Sequence, residues 1–237
     1  MRASVVLVLK GGLLLLFALL FQQCEEGEGD VVRLRDQEYL PLSVGLYQVY
    51  QITETIYVNG PEGETTQYQL KTEIVDSLAG PNGSYTYVLH RATRMTANDP
   101  WKMKDTWSIT FSDTEAIVQQ GNTAFVKLKT PLSQDLFWNG NRYNALGEET
   151  YTVTAFAQPL LVGDREFADV VEVTQNNEVD DIVGNDVRKE AYARGVGLIS
   201  RTEEVITYCS NSSLCIGQQI IEQGKVSEQF LLEYGKK

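Results

Sequence analysis

The residues that could run covalent or metal chemistry are few and scattered. His90 is the sole histidine, so any serine or cysteine nucleophile needing an imidazole base would have to reach it. Strand period places His90 on the face of Val88 and Ala92, the setting of a packed or surface histidine, and no nucleophile-elbow, zinc-protease, phosphate-loop or dinucleotide glycine pattern occurs. No catalytic residue is assigned, and an enzyme is not expected. Glu178 to Asp186, with Asp180 and Asp181, offers hard oxygen ligands beside Gly184, but the spacing departs from a calcium loop and reads as a solvated acidic loop between strands. No metal or cofactor is expected. Cys209 and Cys215 enclose Ser210 to Leu214. At this spacing the two thiols suit a disulfide across the neck of a hairpin, contributing about 2 kcal/mol by loop entropy, with free buried thiols as the alternative. Two thiolates without a nearby histidine make a poor zinc site.

The stretch from Glu190 to Tyr208 is unusual in another way. Read with strand period, it puts Ala191, Ala193, Gly195 and Gly197 on one face and Tyr192, Arg194, Val196 and Leu198 on the other. Four small residues in register leave room for a second layer, a bulky side chain or a ligand, so this is the candidate ligand or packing face. The tyrosines and tryptophans could line such a hollow or simply form core.

Strands must position these residues, because no helical period competes with the alternation. Tyr47 to Val58 is a long strand buried on one side, and Asn59 to Gly63 turns it into Tyr68, Leu70, Thr72 and Ile74. Gly80-Pro81-Asn82-Gly83 turns again into Tyr85, Tyr87 and Leu89; Trp107, Ile109 and Phe111 follow. Pro131 to Arg142 reads as a loop whose Leu136-Phe137-Trp138 could fold back as a plug, and Pro159 as a break or bend. Phe167 to Val173 is a β-branched strand, and two hairpins finish the chain, the last turning at Gln223-Gly224. The expected fold is all-β, about ten or eleven antiparallel strands in a meander forming an up-and-down barrel or half-barrel. A two-sheet sandwich is the alternative.

The formal net charge is −12, and without residues 1–23 it becomes −14, with 18 basic against 32 acidic residues. Such a surface repels nucleic acid and anionic headgroups, so attachment to a membrane requires an anchor. Residues 1–23 supply one candidate: Arg2, a short apolar run from Gly11 to Phe21, then Gln22-Gln23 before Cys24. This resembles a bacterial lipoprotein signal, although Phe21 and Gln23 depart from its usual box; an uncleaved anchor or an ordinary secretory signal is the alternative. The resemblance implies a diacylated Cys24 as first mature residue, and Glu25 after it implies the outer membrane, on the periplasmic or cell-surface face. The expected organisation is a signal peptide over 1–23, a lipid-anchored acidic tether over 24–40 and one antiparallel β domain over 41–237.

The meander, followed by Pro159-Leu160-Leu161-Val162-Gly163, then Phe167-x-Asp169-x-Val171-x-Val173, then Glu190-x-Tyr192-Ala193-x-Gly195-Val196-Gly197, looks like uncharacterised bacterial lipoproteins with a lipocalin-like or lipoprotein-carrier-like curled sheet. That resemblance implies fold and location more than activity. The expected role is non-enzymatic binding of an apolar small molecule or a partner's hydrophobic segment. The alternative is a surface interaction or assembly subunit with a packed core.

Overall fold

Alternating burial along successive segments is the signature from which the sheet is built. In the second strand Leu70 and Ile74 are buried while the residues between them are not, because side chains two apart share a face. The computed structural model describes residues 36–81, 84–112 and 114–237. The expected signal peptide, most of the tether, Cys24, and Asn82-Gly83 of one expected turn lie outside them.

Twelve strands form one antiparallel sheet: β1 (Leu46–Val58), β2 (Gly63–Ala79), β3 (Tyr85–Arg94), β4 (Lys102–Phe111), β5 (Glu115–Gln120) and β6 (Thr123–Lys129) in its first half, then β7 (Phe137–Asn139), β8 (Thr150–Val162), β9 (Arg165–Asp180), β10 (Gly184–Ala193), β11 (Gly197–Tyr208) and β12 (Ile221–Lys236). Their spatial order is β6-β5-β4-β3-β2-β1-β12-β11-β10-β9-β8-β7. Each half is therefore a plain meander, and the two join where β1 pairs with β12, from Leu46 opposite Lys236 to Val58 opposite Gln223. The sheet curls into a nearly closed barrel. Its free edges meet where Val126 N–H donates to the Gly140 carbonyl at 2.9 Å and the Trp138 indole donates to the Val126 carbonyl at 2.8 Å.

The main core lies beside this closure, where Val126, Leu128, Trp138, Tyr151, Val153, Val171 and Tyr192 pack together. Leu136 and Trp138 do fold back, as expected, while Phe137 points out to solvent. Pro159 bends β8 without ending it: the pairing with β9 slips repeatedly between Val153 and Leu160, and Ala157 takes a positive φ of 52°.

Several expectations are corrected. The stretch 190–208 is a hairpin and not one strand, since β10 stops at Ala193 and β11 begins at Gly197. Gly195 and Gly197 hold φ of 74° and 97°, conformations that suit glycine and turn the chain. Glu178 to Asp186 is a hairpin tip rather than a loop, with Asp180 accepting from the Ile182 and Val183 amides at 2.8 and 3.0 Å. Gln223-Gly224 is not a turn. Gly224 sits inside β12, where a Cβ would lie 2.2 Å from the Val205 carbonyl oxygen, so glycine is there for close backbone approach.

The segment 36–40, assigned from its composition to the tether, packs into the folded unit. Tyr39 is 0% exposed and Asp36 4%. The Asp36 carboxylate accepts from the Leu132 amide at 2.6 Å. The Tyr39 hydroxyl donates to Asp169, and Arg194, stacked over the Tyr39 ring, reaches Asp169 at 2.6 Å and Glu38 at 3.1 Å.

Candidate functional site

Between the first half of the sheet and the 194–198 turn lies a cavity of about 320 Å³. Its apolar wall is made by alternate residues of neighbouring strands: Leu70 and Ile74 on β2, Leu89 on β3, Trp107 and Ile109 on β4, Val118 on β5. Cross-strand register sets them side by side, with Ile74 opposite Leu89, Leu89 opposite Trp107, and Ile109 opposite Val118. The exposed Tyr234, Lys236 and Gly195 mark the open end, and the buried Tyr50 and Lys127 the closed one.

Charge is concentrated toward the closed end. Glu190 on β10 is 2% exposed. One of its oxygens accepts from Lys127 Nζ at 3.0 Å and from Arg201 at 2.6 Å, the other from the Tyr192 hydroxyl at 2.6 Å. Burial alone raises the Glu190 pKa, but Lys127 and Arg201 more than reverse this and hold the carboxyl at about 2. Burial pushes the Lys127 ammonium down, and Glu190 offsets only part of that. Arg91 on β3 lies 3.6 Å over the Trp107 ring and pairs with Asp105 at 3.0 Å, presenting a stacked cation to the same cavity. A smaller hollow of about 160 Å³ adjoins, sharing Gln120, Lys127 and Arg201 with the first and adding Gln175, Arg188 and Glu190.

The four small residues divide between two roles. Ala191 and Ala193 are packed at 4% and 2% exposure in a cluster with Val162, Phe167 and Val170. Tyr192 between them belongs to the main core, so β10 is covered on both faces. Gly195 and Gly197 line the cavity. Cys209 and Cys215 are disulfide-bonded in the connection from β11 to β12. His90 is exposed, on the strand face opposite the cavity-lining Leu89 and Arg91. No three or more His, Cys, Asp or Glu side chains are grouped to hold a metal among the described residues. Of the aromatics, Trp107 and Tyr50 line the cavity and Trp138 and Tyr151 are core.

Sequence reasoning did not pick out Arg91, Lys127, Glu190 and Arg201 as site residues. A signal was present in Glu190, which shares strand phase with Tyr192, and in Lys127, which sits between Val126 and Leu128: charged residues in apolar phase are the ones that face an interior.

No family model matches the sequence, and no match to a curated protein was found. Among solved structures, the chain is similar to a provisionally described exported protein with a YmcC-like fold from Bacteroides fragilis, at 12% identity and a TM-score of 0.47, over 83% of this chain and 98% of that one. It is similar also to a provisionally described lipoprotein from Parabacteroides distasonis, at 10% identity and a TM-score of 0.39 over the same shares. A LolA superfamily protein from Nitrosomonas europaea aligns at 12% identity and a TM-score of 0.24, over 88% of this chain and 93% of that one.

Proposed function

We propose that this chain is a non-enzymatic binding lipoprotein, exported, acylated at Cys24 and held at the bacterial outer membrane, whose curled sheet takes an apolar ligand or a partner's hydrophobic segment into its cavity. The observation that carries the reading is the hollow of about 320 Å³ walled by residues that would otherwise be core. Protein interiors pack densely and leave few voids larger than a water, because apolar walls facing nothing forfeit their dispersion contacts. A hollow of this size open at one end falls within the range of small-molecule sites. The disulfide suits an oxidising compartment outside the cytosol. The exposure of His90 away from the cavity supports a binding role over catalysis.

The test is uptake of an environment-sensitive apolar dye by the folded protein. Saturable binding near one dye per chain is expected, abolished by Ile109→Trp, which fills the cavity from β4 while adding no charge. Absent or non-saturable uptake, or uptake indifferent to Ile109→Trp in a variant with unchanged circular dichroism, overturns the reading.

A further inference from the structure

We infer that the ligand of this cavity is a single-chain amphiphile with an anionic head, carboxylate or phosphate, bound head-inward with its tail along the apolar wall. The inference rests on the binding role proposed above and specifies its chemistry. Among the described residues, four charged side chains line the cavity, Arg91, Lys127, Arg201 and Lys236, and all are cations. This occurs in a chain of net charge −12.

At the closed end the charges do not balance. Lys127 and Arg201 share the carboxylate of Glu190, while Glu203, which also lines the adjoining hollow, pairs with Lys225. A buried cation without its own anion is costly unless something else neutralises it. Arg91 has Asp105, but that carboxylate lies outside the cavity lining and leaves the stacked guanidinium facing inward. A lysine ammonium has three donors, and the hydrogen bond from Lys127 Nζ goes to Glu190.

The adjoining hollow adds an independent sign. The Gln175 side-chain amide nitrogen is buried and has no acceptor among the described residues, on a residue 8% exposed that lines the space shared with Lys127 and Arg201. Buried donors are normally satisfied, and a group bringing acceptor oxygens to this hollow would satisfy this one. An anionic head there meets the excess cation and the orphan donor together. Its tail then has one apolar route, past Ile109, Leu89 and Ile74 toward the open end at Tyr234.

Calorimetric titration of the folded protein with myristate, myristyl phosphate and myristyl alcohol decides the matter. Charge-assisted pairing predicts that one or both anions bind at least about tenfold more tightly than the alcohol; which anion is tighter separates a carboxylate from a phosphate ligand. Lys127→Met leaves Arg201 and Glu190 as a balanced pair, so it should remove most of that preference while alcohol binding persists. Equal binding of anions and alcohol overturns this inference and leaves the cavity reading standing. Binding of none of the three overturns both. Should Lys127→Met fail to fold, the comparison on the unaltered protein still gives the answer.

Discussion

The Gln48 side chain and Gly197 are fitted to each other across the sheet. Gln48 Nε2 donates to the carbonyls on either side of Gly197, Val196 at 3.0 Å and Leu198 at 2.9 Å, and a Cβ at position 197 would lie 3.3 Å from that nitrogen and 3.5 Å from Pro41 Cδ. One amide on β1 thus fixes the turn that walls the cavity, and the turn has no side chain where the amide sits.

Gly197→Val should therefore destabilise the protein by about 1 to 3 kcal/mol, from backbone strain at positive φ together with overpacking. At Gly195 a Cβ meets nothing within 4 Å, so Gly195→Ala should cost less, about 1 kcal/mol from the left-handed backbone alone. Denaturant midpoints compare the two. A Gly197→Val midpoint at or above that of Gly195→Ala would show that the turn is not held this way.

Glu190 should make the protein acid-sensitive. Its folded pKa of about 2 lies below the ordinary 4.5, so its contribution is present above pH 4.5 and is lost as pH falls toward 2. The shift corresponds to something on the order of 3 kcal/mol. Glu190→Gln leaves the buried Lys127 and the half-buried Arg201 without their carboxylate and should cost about 3 kcal/mol at neutral pH. The gap between wild type and variant, measured by urea unfolding at a series of pH values, should narrow below pH 4.5. A constant gap would mean the carboxyl is not held ionised.

The packed segment ahead of β1 gives a truncation test. A chain beginning at residue 41 loses Tyr39 from the main core and the Asp36 cap on the Leu132 amide, and should be less stable than one beginning at residue 33 by about 3 kcal/mol or more. Equal thermal midpoints for the two chains would return residues 36–40 to the tether.

Anchoring is tested at Cys24. Cys24→Ser should move the protein from the membrane fraction to the soluble one when expressed in a bacterium that processes lipoproteins. Continued membrane retention, with the apolar N-terminal run removed, would defeat the lipid anchor.

What could be read from the sequence was what repeats locally. The alternation of Tyr68, Leu70, Thr72 and Ile74, or of Trp107, Ile109 and Phe111, depends only on neighbours two residues apart, and the meander followed from it. Strand period failed at Gly195 and Gly197 because a glycine in phase with Ala191 and Ala193 looks like a small strand residue, while its positive φ is invisible in the sequence. It failed at Gly224 for the converse reason: glycine suggested a turn where the backbone of β11 simply comes close. The charged cluster escaped because Lys127, Glu190 and Arg201 sit on β6, β10 and β11, brought together by curvature of the whole sheet. No spacing encodes that. The segment 36–40 was misjudged by composition, since the acids that suggested a solvated tether include Asp36 and Glu38, which are bonded to Leu132 and Arg194.

The pairing of β1 with β12 gives the chain an order of events. Each meander half can zip from contacts between successive strands, but the junction between halves needs residues 46–58 to find residues 223–236, and such distant pairings form late because loop closure must precede any gain. Until β12 is available, β1 and β11 each present an unpaired edge, the kind of surface that templates association with other chains. A chain emerging N-terminus first therefore carries an open seam beside β1 until residues 223–236 follow and close it. Removing β12 would not trim this fold by degrees; it would leave it as two unjoined halves.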